Sequence, residues 1–177
     1  DFGVVSKEAV RSGRLATAST HELVSTLHEF LLSLMAIKGS AVLVIDGQIV
    51  ARAFNQPIGA CDPTAHAEVL VLREAARVVG NYRLVGADVY VTVEPCLMCV
   101  GAMVHARVRR VTFGAPEPKT GALVSALRAL DTPGLNHRFA FEGGVLEEPA
   151  RALLQQFFQA KRRAEKAGVA GAETGGV

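Results

Sequence analysis

Hydrophobic and polar positions follow two different periods along this chain, and the switches between them divide it into elements. From Ser19 on, Leu23, Leu27, Phe30, Leu31 and Leu34 recur at helical spacing, with Thr20 placed to cap the run and Gly39 to stop it. Ala41 to Ile45 and Gln48 to Ala53 then read as strands on either side of Asp46-Gly47. That dipeptide suits a two-residue type I′ hairpin, because both of its positions need positive φ. Asn55, Gln56 and Pro57 leave the sheet as a loop. Asp62-Pro63 reads as an N-cap with a first-turn proline and predicts a helix to about Val79, ended by Gly80-Asn81.

Further on, Ala87 to Val93 predicts a strand, Cys96 to His105 a helix and Arg109 to Phe113 another strand. Gly114 to Gly121 is a loop with two prolines, and Val124 to Leu130 a short helix. Phe139 to Leu146 reads as extended, broken by Gly143-Gly144. Pro149 to about Lys166 is a helix carrying Leu153, Leu154, Phe157 and Phe158. Strands joined through helices in this order predict an α/β layer fold with a central sheet covered on both faces. Weak periodicity over residues 1–18 predicts a loosely ordered arm, and the Ala/Gly-rich stretch 167–177 a disordered tail. Residues 19–166 form the one domain between them, with no internal repeat.

Composition changes this picture little. The chain has 177 residues, half of them hydrophobic, with 20% charged and a net charge of +2, an ordinary globular balance. So small a charge does not argue for nucleic acid, and any RNA contact needs a local patch. The apolar stretch from Phe30 to Ile45 is interrupted by Lys38, Gly39 and Ser40, so it reads as a helix running into a buried strand, with no membrane span. No secretory signal is visible. Three cysteines, two of them in one motif, leave no disulfide framework and point to a reducing, cytoplasmic setting.

The chemistry concentrates in His66-Ala67-Glu68 and Pro95-Cys96-Leu97-Met98-Cys99. One His and two Cys supply three ligands, and a catalytic zinc, unlike a structural one, keeps its fourth position open for water. Glu68 is placed to handle that water's proton. Singly the pieces are bland: a lone His is more often a packing or capping residue, and a Cys-x-x-Cys can be a redox pair or half of a zinc knuckle. Together they form the known signature of zinc nucleobase deaminases. Cys96 and Cys99, three apart at a helix start, share a face and gain thiolate character from the helix N-terminus. His66 and Glu68 are harder to reconcile, because two residues apart on a helix point about 200° away from each other. Both reach one metal only if the His lies at the helix start and the longer Glu reaches back.

Longer runs then carry a resemblance. Phe54-Asn55-Gln56-Pro57-Ile58-Gly59, Asp62-Pro63-Thr64-Ala65-His66-Ala67-Glu68, Asn81-Tyr82-Arg83-Leu84, Thr92-Val93-Glu94-Pro95-Cys96-Leu97-Met98-Cys99 and Gly101-Ala102-Met103-Val104-His105-Ala106-Arg107 resemble the tRNA-specific adenosine deaminase (TadA) family. Phe113-Gly114-Ala115, Lys119-Thr120-Gly121-Ala122 and Asn136-His137-Arg138 extend the likeness over about residues 40–165. It implies a three-layer α/β/α cytidine-deaminase-like fold with a central mixed five-stranded sheet. It also implies a homodimer that converts a wobble adenosine of a tRNA anticodon stem-loop to inosine. One zinc per subunit would be held by His66, Cys96 and Cys99, with Glu68 as proton shuttle. Substrate contacts would come from Asn55, Ala67, Pro95, Glu117, Lys119, Phe158 and Arg162.

Two departures from the family pattern stand out: Lys38-Gly39-Ser40-Ala41 replaces a Pro-Val-Gly-Ala run, and Glu117 stands where Asp is common. Other residues keep plainer readings. Phe157-Phe158 at helical spacing suits core packing, with one ring nearer the RNA side, and the basic run Lys161 to Lys166 a solvated face that gains weight as a phosphate contact beside an RNA site. His21, His28 and His137 read as surface or packing residues, His105 as structural support and Cys61 as incidental. A free-nucleobase deaminase and a non-catalytic zinc-bearing subunit of an RNA-editing complex remain the alternative functions.

Overall fold

A computed structural model of the chain describes residues 39–152 and positions 155, 156, 159, 162 and 163. The leucine stripe after Ser19, the 1–18 arm, Phe157, Phe158 and the 167–177 tail lie outside the described residues. The described elements run β1 (Ser40–Ile45), β2 (Gln48–Phe54), α1 (Ala67–Val79), β3 (Asp88–Val93), α2 (Leu97–Ala106), β4 (Arg110–Ala115) and β5 (Ala140–Glu142). The five strands form one sheet in the order β2-β1-β3-β4-β5. β1 pairs antiparallel with both β2 and β3, whereas β3-β4 and β4-β5 are parallel. This is the mixed five-stranded sheet of the three-layer α/β/α cytidine-deaminase-like fold.

The hairpin forms as its dipeptide requires, with Asp46 at φ 49° and Gly47 at φ 76° and Ile45 paired to Gln48. Strand alternation then builds one apolar face. Ala41 lies opposite Val91 and Leu43 opposite Val89, and these continue across β4 as Phe113 and Val111. The same face packs Ala67, Val71, Ala75 and Val78 of α1 and Val100, Met103 and Val104 of α2 into one core. At the N-terminal end of β3 the buried Asp88 accepts hydrogen bonds from Arg109 at 2.7 and 3.0 Å and from Arg110 at 3.0 Å, tying the starts of β3 and β4 together.

Three elements differ from expectation. The helix expected from Asp62-Pro63 begins only at Ala67, because the Asp62 carboxylate closes a turn by accepting the Thr64 N–H and hydroxyl, each at 2.7 Å. The helix expected over Val124 to Leu130 is instead a series of turns followed by a 3-10 turn at Ala129–Asp131. There the amides of Leu123, Val124 and Ser125 donate to the Glu94 carboxylate, which takes them away from a helical ladder. The extended stretch expected over Phe139 to Leu146 shrinks to β5, and helical backbone already begins at residue 147.

Candidate metal centre and active site

Two helix N-termini converge on one place. α1 starts one residue after His66 and α2 one residue after Cys96, so both residues are N-caps with extended backbone. Neither side chain makes a capping hydrogen bond. Each is therefore available for other chemistry at the positive end of a helix. His66 at the cap is also what resolves its spacing from Glu68. The His lies outside the 3.6-residue helical period, and the two side chains line the same cavity.

Around that point His66 Nδ1 lies 3.7 Å from Cys96 Sγ and 3.6 Å from Cys99 Sγ, and the two sulfurs are 3.6 Å apart. The three donor atoms form a cluster able to hold a metal ion. A hydrogen bond from the Cys99 thiol, together with the amides of Cys99 and Met98, draws the Cys96 pKa down to about 5 against the cost of burial. The same sulfur–sulfur contact, with burial and the nearby Glu68 carboxylate, pushes the Cys99 thiol up. Burial also raises the Glu68 carboxyl above its ordinary range.

The cluster opens into a cavity of about 360 Å³ lined by Asn55, His66, Glu68, Cys96, Glu117 and Thr120, among others. That is the size of a small-molecule or nucleobase pocket. The Asn55 side-chain oxygen accepts the Ala67 N–H at 2.7 Å, so it ties the strand exit to the start of α1. Pro95 is fully buried, and its carbonyl accepts the Ala122 N–H at 2.9 Å. Glu117 lines the cavity while its carboxylate accepts the Lys119 N–H at 3.0 Å. Lys119 itself is exposed and does not line the cavity. Arg162 is exposed on helical backbone and is not among the lining residues, and Phe158 lies outside the described residues.

Sequence reasoning missed Thr92, Thr120 and Glu94 as cavity-lining residues. Glu94 lies inside the Thr92 to Cys99 motif, but nothing local marks a carboxylate whose partners are 23 to 31 residues away.

A family model described as the cytidine and deoxycytidylate deaminase zinc-binding region matches residues 20–115. The tRNA-specific adenosine deaminase of Haemophilus influenzae is 46% identical over 127 residues, 71% of this chain and 73% of that protein. The chain belongs to the tRNA-specific adenosine deaminase family. The Bacillus subtilis member is likewise 46% identical, over 72% of this chain and 79% of its own length. A solved structure from work on A-to-I editing by tRNA:A34 deaminases at the wobble position of transfer RNA is 43% identical. It matches with a TM-score of 0.64 over 65% of this chain and 83% of that one. A guanine deaminase from Nitrosomonas europaea, at 21% identity and a TM-score of 0.61 over 81% of this chain and 86% of its own, shares the fold alone. Among the described residues, no helix is long and apolar enough to cross a membrane.

Proposed function

We propose that this chain hydrolytically deaminates adenosine to inosine at the wobble position of a tRNA anticodon, using zinc, one ion per subunit. The observation that carries this reading is the triangle of His66, Cys96 and Cys99 donor atoms, with Glu68 in the same cavity. Two thiolates ~2.3 Å and an imidazole ~2.05 Å from a tetrahedral zinc stand about 3.6–3.8 Å from one another. The three separations of 3.6 to 3.7 Å fit that tetrahedron. Three protein ligands among the described residues also suit a catalytic ion. Held by His66, Cys96 and Cys99, a zinc ion would supply Lewis-acid activation of a water, lowering its pKa toward neutrality.

The residues of the chain do the rest. Glu68 takes a proton as the water oxygen bonds to C6 of the adenine ring, delivers it to N1, and carries the second proton to the amino nitrogen. The C6–N bond then breaks, ammonia leaves and the ring keeps the oxygen as inosine. The raised pKa of Glu68 suits a group that must both accept and return a proton. Because the Asn55 oxygen is engaged by Ala67, its amide Nδ2 is the atom left to donate to the extruded nucleoside. Ala67 and Pro95 are buried and do not line the cavity, so their part in this reading is to hold the neighbouring His66, Glu68 and Cys96 in place, while Glu117 supplies cavity wall. Lys119 and Arg162, both exposed, are the phosphate contacts of this reading, and Phe158 a stacking or packing ring.

A homodimer and a cytoplasmic setting complete the proposal. Exposed Ile58, Leu97, Val124 and Leu127 offer apolar surface for a second copy. The test incubates zinc-loaded protein with an anticodon stem-loop carrying a wobble adenosine and reads inosine by sequencing, with Glu68→Ala alongside. Inosine from the parent only is the expected result. No inosine at one bound zinc per chain overturns the tRNA assignment and turns attention to free nucleobases.

A further inference from the structure

Glu94 lies one residue past the C-terminal end of β3, two residues before the metal-ligating Cys96, and only 3% of its surface is exposed. Its carboxylate is filled by one loop. Oε1 accepts the backbone N–H groups of Leu123 at 3.0 Å, Val124 at 2.7 Å and Ser125 at 3.0 Å. Oε2 accepts the Glu117 N–H at 3.1 Å and a short hydrogen bond from the Ser125 hydroxyl. Four amides and a hydroxyl converging on one carboxylate make a backbone nest with the anion supplied by the protein itself.

The loop cannot reach this arrangement with an ordinary residue at its centre. A Cβ on Gly121 would lie 2.4 Å from the Glu94 carboxyl and 2.6 Å from the Glu117 carbonyl. Gly121 also bridges to Cys96, and the neighbouring Ala122 N–H donates to Pro95. The segment held this way carries Glu117 and Thr120, which line the same cavity as Asn55 and His66. One carboxylate thus joins the strand end that presents the metal ligands to the loop that walls the substrate cavity.

We propose that Glu94 is a positioning residue for substrate binding: it clamps the 117–125 loop in the form that closes the cavity wall against the bound nucleotide. This rests on the deaminase reading above, but the clamp can be tested apart from turnover. Glu94→Gln places an amide NH₂ against N–H donors and cannot satisfy the nest. It is expected to raise KM for the anticodon stem-loop about tenfold while kcat changes by less than about twofold. Zinc content should stay at one per chain, and the Leu123, Val124 and Ser125 amides should lose hydrogen-exchange protection. Gly121→Ala, which crowds the clamp with Glu94 intact, should reproduce the KM effect even if Glu94→Gln folds poorly.

Asp88→Asn is the control. It damages a buried carboxylate at the other end of the same strand and is expected to lower stability with KM unchanged. An equal KM effect from Asp88→Asn, or parental KM in both Glu94→Gln and Gly121→Ala, overturns the clamp. If the parent itself makes no inosine, the deaminase reading fails, and the clamp is judged by stem-loop Kd and amide exchange. Unchanged Kd and protection in both variants then reject it.

Discussion

Asn55 and Ala67 are joined by a 2.7 Å hydrogen bond from the Ala67 N–H to the Asn55 side-chain oxygen. Asn55 therefore does for α1 what an N-cap side chain normally does, from twelve residues upstream. The true N-cap, His66, is left free to face the cysteines. Asn55 is itself fixed, since its N–H donates to Gly39 at 3.0 Å and a Cβ on Gly39 would meet its amide nitrogen at 2.6 Å. A single side chain thus orients a helix end and lines the cavity.

Asn55→Ala should consequently lose both roles. The missing cap bond is expected to cost about 1 kcal/mol of stability, read as a lower urea midpoint with unchanged slope. Inosine formation should fall by more than that destabilisation explains, because the donor to the nucleoside is gone. Parental kinetics at the lower midpoint would reduce Asn55 to a structural cap.

Metal removal should act on stability as well as on turnover. An ion bound only to the folded chain at a hundredfold over its Kd stabilises by about 2.7 kcal/mol. In a domain of this size that amounts to about 5–10 °C in Tm. Dialysis against a chelator is expected to lower Tm by that amount and zinc to restore it. Cys99→Ala should be insensitive to both treatments. A Tm indifferent to zinc in the parent would separate the three donor atoms from any tight metal site.

Glu68→Gln keeps the shape of the side chain and removes its capacity to take a proton. Turnover should fall by about 10²–10⁴-fold while zinc content stays at one per chain. The pairing of lost rate with retained metal is the informative result. Loss of both would mean that Glu68 supports the cluster instead of moving protons.

The parts of this molecule legible in its sequence are those set by neighbours along the chain. Asp46-Gly47 announced its hairpin because both φ angles are local properties, and Cys96 and Cys99 share a face because a helix turn brings them together. His66 and Glu68 were legible as residues but not as geometry. The Asp62 carboxylate diverts the expected helix start into a turn, and only that delay puts His66 at the cap. Glu94 was least legible. Its partners, Glu117 and Leu123 to Ser125, are brought to it by the sheet and not by sequence spacing, and they also cancel the helix expected from Val124.

The turn before His66 makes stability depend on pH through Asp62. Hydrogen bonds from the Thr64 hydroxyl and then its N–H, opposed in part by burial and aided by Arg73 at 3.5 Å, hold the Asp62 pKa below its ordinary value. A carboxylate depressed in the folded state contributes stability that is fully present above its unfolded pKa, about 3.9. That contribution is lost as pH falls through the lower folded value. Asp62→Asn should therefore be less stable than the parent at neutral pH, and the two unfolding curves should draw together below about pH 4. Salt should shrink the Arg73 share of the difference while leaving the Thr64 share, because the ion pair is partly exposed. A gap between the curves that widens in acid would contradict the assignment, since it would require Asp62 to be stabilised in its protonated form.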